Sequence, residues 1–113
     1  MSLAAIQSQI QSAIATKQAV LADTPLQEKL AHLADCAVAC LKQGGKIIFA
    51  GNGGSFADAQ HLSAEFISRF MFDRAPLASV VLGANCSAIS AIGNDYGYEQ
   101  VFSRELEGLA KPG

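Results

Sequence analysis

Basic residues are scarce in this chain: eight Lys and Arg against ten Asp and Glu among 113 residues, a formal net charge of −2, with no basic run. That balance argues against nucleic-acid binding and against attachment to an acidic membrane surface, since both rest on clustered positive charge. No apolar stretch approaches the length needed to span a bilayer, and no basic segment followed by an apolar one stands at the N-terminus, so a cytoplasmic protein is expected. The three cysteines, Cys36, Cys40 and Cys86, are an odd number without zinc-finger spacing and read as reduced, small core residues. No internal repeat, low-complexity tract or flexible linker interrupts the chain. What it has in quantity is apolar: half of the residues are hydrophobic, enough for one folded domain spanning residues 1–113.

Residues 46–69 organise the rest. Lys46 to Ala50 (KIIFA) is a run of β-formers without alternation, as expected of a strand buried on both faces of a parallel sheet. It stops at Gly51, and the GNGGS that follows supplies glycines for a tight turn with positive φ and close ligand approach, with Ser55 expected as the N-cap of the next helix. Strand, glycine turn and helix N-terminus make an anion site, because unpaired N–H groups and the positive end of the helix dipole converge there. The expected ligand is a phosphorylated or otherwise anionic small molecule. The GxGxxG dinucleotide fingerprint is not matched, since Phe56 stands at the third glycine, which disfavours nicotinamide cofactors.

Residues 1–44 read as a helical preface and 45–113 as the start of an α/β sheet. Leu3, Ile6, Ile10, Ala13, Ile14, Val20 and Leu21 draw an amphipathic helix from Ser2 to Leu21, whose stripe must pack on the domain or on another subunit. Thr24 is expected as the cap of a second helix, with Pro25 at its first position and Gln27 closing a capping box. Leu26, Leu30, Leu33, Ala34, Ala37, Cys40 and Leu41 mark that helix's buried face, and Gly44 with Gly45 stops it. Beyond the central unit, Asp73 to Pro76 reads as a solvated turn and Leu77 to Leu82 as a second strand. A short helix from Asn85 or Ser87 ends at Gly93, the polar GNDYG follows, and a last helix runs from Tyr98 to Ala110. Ligands of open α/β sheets bind beyond the carboxyl ends of strands, so GNGGS and GNDYG are expected to line one crevice. With only two strands evident, the chain reads as the front part of a doubly wound domain, completed by other chains or belonging to a longer protein.

His61 and Glu65, four residues apart, share one helix face, with Asp58 a turn earlier. They are either an exposed polar pair or two ligands of one divalent metal, for which Zn²⁺ suits the N and O donors. Glu65 can also serve without metal as a general base. Asn94 and Asp95 are turn formers or ligand contacts, and Ser55 lacks the surroundings of a nucleophile elbow.

AGNGGSFADAQHLSAEFISR together with SAIGNDYGYEQVFSRELEGLAKPG closely resembles the bacterial phosphoheptose isomerases of the sugar isomerase (SIS) superfamily. The likeness covers nearly the whole chain and is most specific at GNGGS, at H-x-x-x-E and at GNDYG. It implies a three-layer, doubly wound, flavodoxin-like α/β fold with two N-terminal helices. It also implies conversion of sedoheptulose 7-phosphate to D-glycero-D-manno-heptose 7-phosphate, through an enediol, for lipopolysaccharide precursors. By resemblance, Asn52, Gly53 and Gly54 contact the substrate, Ser55 helps hold it, and Asn94 with Asp95 contact the sugar. His61 and Glu65 bind zinc, and Glu65 is the catalytic base. A cytoplasmic homotetramer with sites between subunits is implied, its N-terminal helices taking part in assembly. Family members continue past Pro112-Gly113 with a third strand, a serine- and threonine-rich phosphate loop and a helix carrying the other two zinc ligands. Two non-catalytic readings remain: a relative that binds a replication initiator, which keeps the glycine loop but lacks the glutamate, and a sugar-phosphate sensor, which would not need Glu65.

Overall fold

A computed structural model describes residues 2–111; the expected ending at Pro112-Gly113 lies outside them. Two compact units divide after Val38. The first holds helix α1 (Leu3–Ala22) and most of α2 (Thr24–Lys42). Ser2 caps α1, its hydroxyl accepting from the Ala5 amide at 3.2 Å. At the second start the cap is Asp23 rather than Thr24: Asp23 Oδ1 accepts from Leu26 N at 3.0 Å, and Thr24 is already helical. A single residue thus closes α1 and opens α2, and the carboxylate does what Thr24 was expected to do. No capping box forms. Gln27 reaches back instead, its Nε2 donating to the Val20 and Leu21 carbonyls at 3.0 and 2.7 Å, where α1 leaves acceptors free. Leu26, Leu30 and Leu33 on α2 are exposed, not buried as their spacing suggests, and Leu3, Ile6, Ile10 and Ile14 on α1 are exposed in the single chain. Cys36 and Cys86 are exposed too, and Cys40 is half-buried, so the reading of all three as core residues fails.

The second unit opens where α2 ends in a Schellman motif. Gly45 N bonds Cys40 O at 2.9 Å and Gly44 N bonds Leu41 O at 3.1 Å, with Gly44 at φ +79°. Strand β1 (Ile47–Phe49) and strand β2 (Ser79–Val81) then pair in parallel, Ile47 opposite Ser79 and Phe49 opposite Val81. Helix α3 (Gly54–Ile67) connects them and packs on both, as parallel pairing requires of a crossover. The β1 side chains are half-buried, because the sheet has two strands among the described residues and both are edges. Helix α4 (Cys86–Asp95), a 3₁₀ turn (Tyr98–Gln100) and helix α5 (Val101–Leu109) pack on one another. The buried apolar residues among those described are Ala59 of α3, Val81 and Leu82 at the end of β2, and Val101 of α5. No described helix is long and apolar enough to cross a membrane.

Helix α3 is anchored at several points. Phe66 meets Phe49 edge-on with centroids 5.7 Å apart, and the Ser63 and Ser79 hydroxyls join helix to strand. Arg74, read from sequence as part of a solvated turn, is half-buried. Its guanidinium donates to the Glu65 and Phe66 carbonyls at 2.6 and 2.9 Å and to Ala75 O at 3.0 Å. A cation at a helix C-terminus satisfies carbonyls that have no partner in the helix and opposes the negative end of the dipole. Between helix and arginine the backbone makes a three-residue turn, Phe72 N to Phe70 O at 2.7 Å, with Met71 at φ +63°.

Replacing Arg74 by Met keeps the stem and removes these bonds, at an expected cost of about 1.5–3 kcal/mol, the range for a hydrogen bond to a charged group. Arg74→Lys recovers part of it, since an ammonium lacks the planar fork. Urea midpoints measure both; equal midpoints for wild type and Arg74→Met would show that the C-terminus of α3 is held by something else.

Candidate functional site

The loop between β1 and α3 is built by exclusion of side chains. A Cβ on Gly51 would lie 2.5 Å from the Ser55 carbonyl carbon and oxygen and 2.7 Å from Ser55 Cβ, so the chain can double back only if residue 51 has none. Gly53, at φ +57° and ψ −122°, sits at the cap position of α3, and Gly54 is the first helical residue. Ser55 is therefore inside the helix and is not its cap. Its amide bonds Asn52 O at 3.0 Å, while Gly53 O accepts from Phe56 and Ala57. The helix is capped two residues earlier than the residue types suggest, because glycine at position 53 adopts a backbone that serine resists. Among the described residues, the amides of Gly51, Asn52, Gly53 and Gly54 have no backbone acceptor. Four free N–H groups at the start of a helix are suited to oxyanions.

Gly51, Asn52 and Gly53 form one wall of a cavity of about 210 Å³ that is floored by Phe56, Ile89, Val101 and Phe102 and flanked by Tyr98. The Tyr98 hydroxyl donates to Asn52 Oδ1 at 2.6 Å, across 46 residues of sequence. Gly83, at φ +88°, closes the cavity, and its amide donates to the half-buried Glu105 carboxylate at 2.6 Å, which ties the end of β2 to α5.

Asn94 and Asp95 are placed elsewhere. Helix α4 runs through Gly93 to Asp95, so the two residues form its last turn and not a loop. Glycine within a helix weakens but does not end it, and a Cβ on Gly93 would face Val101 at 3.9 Å. Asn94 Nδ2 donates to Asp95 Oδ1 at 2.8 Å, and both line an open depression with Cys86, Ser87 and Ser90. GNGGS and GNDYG therefore do not share one cavity through Asn94 and Asp95. It is Tyr98, just after the motif, that reaches the glycine loop; the positive φ of Gly97, +96°, turns the chain there.

On α3, His61 Nε2 lies 3.4 Å from Glu65 Oε1, the i, i+4 neighbourhood read from the sequence. The His61 side chain is 77% exposed and that of Glu65 29%, so the carboxylate is the more enclosed of the two. Glu65 lines a largely apolar depression of about 400 Å³ with Leu62, Phe66, Phe70, Phe72, Arg74 and Leu77. Among the described residues no third His, Cys, Asp or Glu joins the pair in a metal-holding group. The pair is thus two adjacent N and O donors on a rigid helix, a geometry that fits part of a divalent-metal shell. Sequence reasoning missed Tyr98 and Arg74. The signal for the first was its position beside Gly97; for the second, a cation a few residues beyond a helix end.

The SIS domain family matches residues 9–111. The chain is 52% identical over 102 residues to a phosphoheptose isomerase of Aneurinibacillus thermoaerophilus, covering 90% of this chain and 52% of that protein. It is 44% identical over 108 residues to a phosphoheptose isomerase of Sulfurimonas denitrificans, covering 96% and 55%. Among solved structures, a phosphoheptose isomerase from Francisella tularensis superposes with a TM-score of 0.88 at 33% identity, over 98% of this chain and 57% of that one. The phosphoheptose isomerase of Neisseria gonorrhoeae gives 0.81 at 39% identity, over 94% and 53%. The chain spans about half the length of the curated relatives it matches.

Two glycine substitutions separate the roles within the loop. Gly51→Ala meets Ser55 backbone and should displace residues 51–55, visible as amide shifts across the loop in a ¹⁵N–¹H spectrum. Gly54→Ala meets nothing within 4 Å and should leave the neighbouring amides in place. Equal perturbation by both would contradict the close approach of Gly51 to the helix start.

Proposed function

The chain belongs to the SIS-domain family, and from that membership we propose that it serves the isomerisation of sedoheptulose 7-phosphate to D-glycero-D-manno-heptose 7-phosphate. The observation that carries the proposal is that α3 begins at the glycine loop and bears Glu65 three turns on, so one rigid element holds both an oxyanion cradle and a carboxylate. Support comes from the relatives, which are named phosphoheptose isomerases and match this chain nearly end to end.

Aldose–ketose isomerisation moves a proton between adjacent carbons through an enediol. It requires a base at those carbons, a group that stabilises the developing oxyanion, and a hold on the remote phosphate. Glu65 is the base: its carboxylate takes the proton from one carbon and returns it to the next. The free amides of residues 51–54 and the Asn52 side chain bind sugar or phosphate oxygens, with Gly53, Gly54 and Ser55 shaping the cradle. Asn94 and Asp95, which line a separate depression in this chain, would reach the sugar only in a complete site. His61 and Glu65 hold a zinc ion whose remaining ligands lie outside the described residues; when bound, the metal supplies Lewis acidity toward the carbonyl.

The protein is read as cytoplasmic and as feeding lipopolysaccharide precursors. It is also read as a homotetramer, with sites completed between subunits. The support for assembly is the exposed stripe of Leu3, Ile6, Ile10 and Ile14, too regular and too apolar to face water without a partner.

In a protein of the relatives' length carrying this sequence, Glu65→Gln keeps size and hydrogen bonding but removes the base, so turnover should fall by about 10² or more while the fold persists. Near-normal turnover would sink the assignment. Ile10→Asp, by burying an unpaired carboxylate at the proposed interface, should lower the mass seen by light scattering; an unchanged mass would place the contact elsewhere.

A further inference from the structure

Asn52 carries the only side chain with hydrogen-bonding groups in the segment from Gly51 to Gly54, and which end of its carboxamide faces the ligand decides what the cradle can accept. The main chain of that segment offers donors. A carboxamide oxygen turned inward would set an acceptor among them and repel an oxyanion; an amino group turned inward would extend the donor set. The contact that decides between these is the one from Tyr98, whose hydroxyl donates to Asn52 Oδ1 at 2.6 Å. The oxygen is engaged by the phenol, and Nδ2 with its two hydrogens is the free end.

Tyr98 is itself held in place. Gly97 turns the chain at φ +96°, and a Cβ there would meet the Glu99 carboxylate at 2.6 Å, so the turn tolerates no other residue without moving Glu99. The 3₁₀ turn that follows is closed by Gln100 N to Gly97 O at 3.1 Å. On the other side of Gly97, the Arg104 guanidinium lies 3.8 Å above the Tyr96 ring and fixes the approach of the chain. Both Tyr98 and Asn52 line the cavity beside the loop. Tyr98 is 62% exposed, so its bond competes with water and contributes little to folding. Its effect falls on orientation.

We infer that Tyr98 is a positioning residue for the glycine loop: its hydroxyl fixes the Asn52 carboxamide with the amino group toward the ligand, so that the loop presents donors alone and favours oxyanionic and carbonyl oxygens of a sugar phosphate. The inference deepens the isomerase reading and rests on it for the reaction in which it is measured. It predicts an effect on substrate binding and none on the proton transfer, which belongs to Glu65.

The test is Tyr98→Phe in a protein of the relatives' length, assayed with sedoheptulose 7-phosphate, alone and combined with Asn52→Ala. Alone, Tyr98→Phe should raise KM about fivefold, the scale of one net hydrogen bond, and leave kcat within about twofold. On the Asn52→Ala background the same change should raise KM no further, whereas a merely structural tyrosine would add its loss to either background. A second readout needs no substrate: in the 113-residue chain, the Asn52 side-chain NH₂ resonances should shift in Tyr98→Phe. An unchanged KM in an active enzyme, an additive loss in the double variant, or unmoved Asn52 resonances would each overturn the inference. Should the unsubstituted protein fail to turn over the heptose phosphate, the isomerase reading falls, and the resonances still decide whether Tyr98 orients Asn52.

Discussion

The structure depends on one steric constraint, the absence of a side chain at residue 51. Because a Cβ there would run into the Ser55 backbone, the exit of β1 and the entry of α3 can be only a few residues apart. That short turn leaves the amides of residues 51–54 without backbone acceptors, at the positive end of a fourteen-residue helix. It also fixes where the helix axis starts, and hence where His61 and Glu65 stand along it. The geometry at Gly51 serves the fold and the site, and a side chain placed there would disturb both.

Helix α3 then behaves as a bar clamped at both ends. Its start is tied into the loop, its middle is joined to β2 by the Ser63–Ser79 hydroxyl pair, and its end is held by the Arg74 guanidinium on the carbonyls of Glu65 and Phe66. Arg74 bonds the main chain of the residue whose side chain is proposed as the base, so position of the backbone and position of the carboxylate are linked. Glu65 lines an open, largely apolar depression with Phe66 and with the exposed Phe70 and Phe72. His61, one turn back, remains open to solvent, which suits a donor awaiting partners from other residues.

Burial is concentrated at Ala59 of α3, at Val81 and Leu82 at the end of β2, and at Val101 of α5. The helical faces of the first unit are apolar and uncovered, and the two strands each keep an open edge. A small core with large uncovered apolar faces is what a chain shows when part of its burial is supplied by further protein surface, and the relatives are about twice as long.

The sequence by itself determined the order of elements, the parallel pairing through a crossover helix, the glycine turn, the His61–Glu65 neighbourhood and the family. These follow from local periodicity, from glycine's freedom at positive φ, and from the fixed 3.6-residue pitch of a helix, none of which needs distant residues. Choices between near-equivalent local solutions were settled by tertiary structure. Asp23 displaced Thr24 as a cap because its carboxylate reaches Leu26 N, and Gln27, freed from that role, bonded α1. Helix α4 ran on through Gly93, which carried Asn94 and Asp95 into a helix end away from the glycine loop. Arg74 left the solvent for the Glu65 and Phe66 carbonyls, which only a folded helix end presents together. The link between Tyr98 and Asn52 spans 46 residues, and the position of Tyr98 beside Gly97 does not name its partner, because a phenol and a carboxamide meet only after the loop and the 3₁₀ turn have been brought to the same cavity.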